Sequence, residues 1–225
     1  MSAAKNNTKV KIVTALFVIV SLCDLAGIIF HLNQLRFVFK PLLMLTLLLL
    51  YLVSERNFNG WYIGALVFSF FGDVLLLFEG EIYFILGLIS FLLAHIIYIK
   101  IVLCWLNKTS LKTKAVAAIP FLILFFVLIN LLKNNLNDLF IPVVVYGITI
   151  AIMGYVSLLN YLNNKSLSAL FMVVGASLFI ISDSVLAINK FYSTNEFFPI
   201  VIMLTYLMAQ YLIFKAVIAQ NIENC

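Results

Sequence analysis

Residues 82–104 read IYFILGLISFLLAHIIYIKIVLC, 23 positions in which Lys100 is the single side chain with a full charge at neutral pH. A membrane-spanning helix needs roughly 20 mostly apolar residues, and this run exceeds that. It is about twice the ~9–11 residues of a barrel strand and lacks a barrel strand's strict in/out alternation. Within hydrocarbon a helix satisfies its own backbone donors and acceptors, so the run predicts a transmembrane helix.

Working outward, comparable stretches lie at 10–30, 41–54, 60–78, 114–132, 139–162, 167–188 and 197–219, the second short and starting at 41 or nearer Phe37. Polar breaks separate them: His31 to Lys40, Ser54 to Asn59, Glu79-Gly80-Glu81, Asn107 to Lys114, Lys133 to Asp138, Asn163 to Ser166 and Asn189 to Glu196. None is long enough for a second domain. The expected fold is all-α, a polytopic transmembrane bundle of about eight spans forming one domain over residues 1–225. Composition agrees, because 65% hydrophobic and 10% charged residues leave too thin a polar coat for a soluble core of this size.

The first stretch has a basic lead, but it is about 21 residues long and no small-x-small site follows it. Leu22 before Cys23 also spoils a lipoprotein cleavage pattern, so a retained span is expected. Net charge is +5, yet the basic residues gather at span ends and do not form a nucleic-acid surface. Ten lie on the side of the N-terminus (Lys5, Lys9, Lys11, Arg56, Lys100, Lys108, Lys112, Lys114, Lys165, Lys215) and four on the other (Arg36, Lys40, Lys133, Lys190). The positive-inside rule then puts both termini in the cytoplasm of a bacterial inner membrane or its equivalent. Cys23, Cys104 and Cys225 form no C-x-x-C, and with two histidines no three-histidine or four-cysteine metal site can be assembled. No metal or cofactor is expected. An apolar exterior makes lipid as good a partner as a second subunit, so no oligomeric state is specified.

An internal repeat is visible. Gly64-Ala65-x-x-Phe68 leading to Gly72-Asp73-Val74-Leu75-Leu76 parallels Gly175-Ala176-x-x-Phe179 leading to Ser182-Asp183-Ser184-Val185-Leu186. In the spans that follow, Ala94-His95 with Lys100 matches Ala209-Gln210 with Lys215. Spans three and four therefore correspond to seven and eight, which suggests two parallel halves, 1–110 and 111–225.

A carboxylate inside a span costs ~2.5–3.5 kcal/mol on insertion scales, so Asp24, Asp73 and Asp183 each require a reason. Each sits about four to six residues past its segment's midpoint, roughly 6–8 Å at 1.5 Å per residue, which places the three in one layer. Ala65, Ser69 and Asp73 share a helix face, as do Ala169, Ala176 and Asp183; small residues allow close approach, so both aspartates should point into the bundle. His95 and Gln210 fall near their midpoints and could line the floor beneath, with Tyr98 and Tyr206 one turn away as hydroxyl donors. Arg36 and Lys40, before Pro41 as a helix start, could hold a lipid phosphate, Lys40 being the better placed. Two carboxyls in a partly dehydrated pocket do not both ionise cheaply, and a neutral acid beside a carboxylate suits cleavage of acetal-like bonds. The competing readings are a proton-coupled small-molecule or lipid transporter or flippase using the same carboxylates, and a scaffold in which the aspartates join helices. Glu79-Gly80-Glu81 is most simply a solvated turn.

Four features taken together resemble the lysoplasmalogenase family, also called YhhN-like: Lys40-Pro41-Leu42; Phe68-Ser69-x-x-Gly72-Asp73-x-Leu75-Leu76; Ala94-His95 with Tyr98; and Gly175-Ala176-x-x-Phe179-x-x-Ser182-Asp183-x-x-Leu186-Ala187. The likeness runs from about Lys40 to Lys215. It implies an eight-helix membrane ether hydrolase that cleaves the vinyl ether bond of lysoplasmalogens to a fatty aldehyde and a glycerophospho-base. It also implies that Asp73 and Asp183 are the essential pair, supported by His95, Gln210, Asp24, Tyr98 and Tyr206, and that the partners are a lysophospholipid substrate and membrane lipids.

Overall fold

The computed structural model describes residues 2–55 and 57–220, with side chains from Thr8 onward. Arg56 and Cys225 lie outside the described residues, as does the side chain of Lys5. Eight α-helices make up the described chain: α1 (Ser2–Ile29), α2 (Asn33–Ser54), α3 (Gly60–Leu75), α4 (Glu81–Trp105), α5 (Leu111–Leu132), α6 (Phe140–Asn163), α7 (Leu167–Phe191) and α8 (Phe198–Ala219). Two 3-10 turns, Lys133–Asn135 and Asn137–Leu139, join α5 to α6, and no strand occurs among the described residues. Seven of the helices are long and apolar enough to cross a bilayer; α3 is apolar but shorter. The protein is an integral, multi-pass membrane protein.

Two boundaries differ from the sequence expectation. The second span starts at Asn33 rather than at 41, leaving a reversal at residues 30–32 in which His31 has φ 55°. Pro41 therefore lies inside the helix, where it removes one backbone hydrogen bond, and the chain from Asn33 to Lys40 is helix despite its polar side chains. The third span ends at Leu75, not at 78; its 16 residues extend about 24 Å at 1.5 Å each, short of the ~30 Å of hydrocarbon.

Local chemistry explains several helix starts. Asn59 Oδ1 accepts from the N–H groups of Trp61 and Tyr62 to open α3, Ser110 accepts from Thr113 to open α5, and Ser166 accepts from Ala169 to open α7. Each satisfies a donor that the helix itself cannot.

The chain forms two compact units, Met1–Ala94 and His95–Cys225, the division falling within α4. In the first, α2 packs against both α1 and α3. Tyr51 Oη accepts from the Asn59 N–H at 2.8 Å and its ring meets Tyr62 edge-on at 4.7 Å, fixing the link between α2 and α3. Gly72 lies against the Phe91 ring so closely that a Cβ there would sit 2.5 Å from it. In the second unit α7 packs on α6 and α8. Ser168 and Ser182 donate across to the carbonyls of Ala216 and Ile202, each at 2.9 Å, and Gly175 lets α8 approach closely, a Cβ there falling 2.9 Å from Ile213. Small residues and interhelical hydrogen bonds are the means by which helices associate where hydrophobic burial gives no gain.

Candidate functional site

The first unit carries a cluster of charges on three helices. Asp24 of α1 is fully buried, and neither of its carboxyl oxygens has a hydrogen-bond partner among the described residues. Asp73 of α3 is 2% exposed, one turn beyond the buried Ser69. Between these carboxylates in charge terms stands Lys40 of α2, 8% exposed, within electrostatic range of Asp24, Asp73 and Arg36. Two acids and two bases balance formally, the arrangement expected of ionisable groups inside a membrane protein. Lys40 and Arg36 share a face of α2 but have different surroundings. Lys40 lies among the carboxylates inside the helix, where a helix start at Pro41 would have left it at a surface, whereas Arg36 lines a polar cleft.

That cleft, about 480 Å3, is bounded by Asn33, Arg36 and Phe37 from the first turns of α2 and by residues 76–79 following α3. The Arg36 stem runs over Gly27 of α1, where a Cβ would come within 2.8 Å of Arg36 Cγ.

The second unit carries an aromatic and amide network. Tyr146 of α6 donates its hydroxyl to Asp183 Oδ2 of α7. Tyr146 also meets the His95 ring edge-on at 5.5 Å, and His95, fully buried, packs the same way on Phe179 at 4.5 Å. Tyr98 donates to Gln210 Oε1 at 2.9 Å, and Gln210 Nε2 donates to the Tyr206 hydroxyl at 3.4 Å. The Tyr206 ring packs edge-on against Phe179 at 5.4 Å, which closes the chain of contacts back to His95. Of the residues singled out in the sequence, the structure thus links Tyr98, Gln210 and Tyr206 by hydrogen bonds, sets His95 and Tyr206 against Phe179, and connects His95 to Asp183 through Tyr146.

Asp183 is half-buried and faces an apolar cavity of about 60 Å3 between α5, α6 and α7, whose walls include Phe121, Phe125, Leu128 and Ile180. Tyr146 and Ser184 are its other polar lining groups. Tyr146 carries little signal in the sequence beyond a phenol set among Val145, Gly147 and Ile148, where a buried hydroxyl must find a partner. Among the described residues no three His, Cys, Asp or Glu side chains gather as a metal-ligand set.

Known proteins match much of the chain. A lysoplasmalogenase of Mycobacterium bovis is 32% identical over 160 residues, covering 68% of this chain and 58% of that protein, and the Mycobacterium tuberculosis lysoplasmalogenase aligns equally. The lysoplasmalogenase TMEM86A of Bos taurus is 29% identical over 169 residues, 72% of this chain and 67% of the relative. The chain thus spans somewhat under two thirds of the mycobacterial proteins' length. No solved structure matches it. The model of the YhhN family matches residues 35–217, from the first turns of α2 to the end of α8, and the chain belongs to that family.

Proposed function

We propose that the protein is a lysoplasmalogenase-like hydrolase, cleaving the vinyl ether bond of a lysoplasmenyl-ethanolamine or -choline to a fatty aldehyde and a glycerophospho-base. The observation that carries the reading is membership of the YhhN family together with similarity to curated lysoplasmalogenases across most of the chain. Asp73 and Asp183 would supply the proton transfers the reaction requires.

Hydrolysis of a vinyl ether begins with proton transfer to the alkene carbon remote from oxygen, leaving an oxocarbenium ion. Water adds to the carbon that bears the oxygen, losing a proton to a base. The resulting hemiacetal breaks its bond to the glycerol oxygen, which takes up a proton as the aldehyde leaves. One carboxylic acid and one carboxylate are sufficient for these steps. Asp73 and Asp183 are the proposed pair, one as acid and the other as base or electrostatic stabiliser of the cation. Tyr146 would hold Asp183 through its hydroxyl, and Lys40 would maintain the charge balance around Asp73 and Asp24. His95, Gln210, Tyr98 and Tyr206 are proposed as the packed network that keeps Tyr146 and Asp183 in place. The excess of basic residues on alternate segments supports an orientation with both termini in the cytoplasm.

The test is aldehyde release from a lysoplasmalogen by protein purified in mild detergent, with an ester-linked lysophospholipid as control. Release from the vinyl ether alone is expected. Folded protein that forms no aldehyde, yet moves lipid or protons after reconstitution into vesicles, would replace the hydrolase with a carrier.

A further inference from the structure

The polar cleft of the first unit holds opposite charges that do not neutralise one another. Arg36 and Glu79 both line it, and no ion pair joins them among the described residues. Arg36 Nε is buried and has no hydrogen-bond partner among the described residues. Its stem is held over Gly27, so packing fixes the guanidinium at the cleft, with Asp24 of α1 within electrostatic range of it. Glu79 is exposed and fixed from the other side: Gly80, at φ +114°, turns the chain immediately after it, a conformation that favours glycine. Phe78, immediately before it, packs edge-on against Phe37 of α2 at 5.7 Å. The two charges are therefore carried on anchored supports across one cleft. Its 480 Å3 falls within the ~300–1,000 Å3 typical of small-ligand sites.

A cation and an anion held apart across one cleft complement a ligand with the reverse pattern. We propose that this cleft is a zwitterion site that takes a phospho-amine headgroup, the phosphate on Arg36 with Asn33 beside it and the ammonium on Glu79. Guanidinium groups suit phosphate oxygens in geometry as well as charge. The placement also suits a bound lipid, since Arg36 is one turn before Lys40 along α2, and Leu76 at the cleft is three residues past Asp73 along α3. A headgroup seated there has its glycerol linkage beside the Asp73 end of α3. The identity of the ligand as a phospholipid rests on the proposed function; the charge preference rests on the cleft alone.

The experiment measures binding of non-hydrolysable single-chain alkyl-ether lysophospholipids to the full chain in detergent, by calorimetry. Phosphoethanolamine and phosphocholine heads are compared with phosphoglycerol, which has no ammonium, and with a monoalkylglycerol, which has no phosphate. Glu79→Gln should weaken the zwitterionic lipids by about twofold to fivefold, the range of an exposed charge pair, and leave phosphoglycerol equal or tighter. Arg36→Gln should weaken all three phospholipids but not the monoalkylglycerol. Glu81→Gln, exposed on α4 and outside the cleft lining, should change nothing. An unaltered ratio of zwitterionic to anionic affinity in Glu79→Gln overturns the proposal, as does wild type that binds none of the phospholipids. Aldehyde release with no headgroup preference would leave the hydrolase standing and remove this site; the preference without any hydrolysis would do the reverse.

Discussion

Replacing Tyr146 by Phe removes one oxygen and little else. The ring that packs at 5.5 Å from His95 is retained, while Asp183 Oδ2 loses the hydroxyl that donates to it. A hydrogen bond to a charged group contributes about 1.5–3 kcal/mol in water-soluble proteins, whereas interhelical bonds in membranes average ~0.6 with a maximum near 1.7. Here the carboxyl borders an apolar cavity of about 60 Å3, where few replacement donors exist, so the upper part of the membrane range, about 1.5 kcal/mol, applies. If the bond orients Asp183 for the chemical step, that loss corresponds to roughly a tenfold fall in kcat with little change in KM. The assay is initial-rate aldehyde release in detergent, with thermal stability and gel filtration of the same preparation as controls for folding. A folded Tyr146→Phe protein that turns over at the wild-type rate would refute the positioning role. A loss of rate matched by loss of the folded fraction would show that the bond only joins α6 to α7.

Three other tests concern charge, packing and topology. Lys40→Met removes a cation in electrostatic range of both Asp24 and Asp73 and leaves the buried carboxyls without it, so the melting temperature should fall and Asp24→Asn in the same chain should restore part of it. Gly72→Ala drives a Cβ to 2.5 Å from the Phe91 ring and should cost about 1–3 kcal/mol by overpacking, while Gly60→Ala, with nothing within 4 Å, should stay within about 0.5 kcal/mol. In a cysteine-free background, Ser193→Cys should react with an impermeant maleimide added outside whole cells and Lys108→Cys should not; the opposite pattern would invert the proposed orientation.

The helices were legible because the bilayer imposes a length, and runs such as residues 82–104 satisfy it without help from periodicity. The start of α2 was not, since Asn33, Gln34, Arg36 and Lys40 read as a polar break. Inside the folded unit Lys40 has carboxylates within range, so the helix carries through residues that composition assigns to a loop. Asp73 and Asp183 stood out because a carboxylate in an apolar run is costly and rare. Tyr146 did not, because a phenol in such a run looks like packing until its hydroxyl is seen to donate to Asp183. Glu79 reads as a solvated turn from its neighbours alone; only the fold brings it to the cleft that Arg36 also lines.

The central claim is that intramembrane carboxylates hydrolyse a vinyl ether by protonating carbon, and one isotope experiment tests it directly. Wild type, Asp73→Asn and Asp183→Asn are incubated with a lysoplasmalogen in D2O, and the aldehyde is trapped and weighed by mass spectrometry. Protonation at carbon by the carboxylate pair predicts a single deuterium on the carbon next to the aldehyde carbon from wild type, and at least a thousandfold less aldehyde (about 4 kcal/mol) from each folded variant. Aldehyde lacking that deuterium, or undiminished product from both variants, would contradict it.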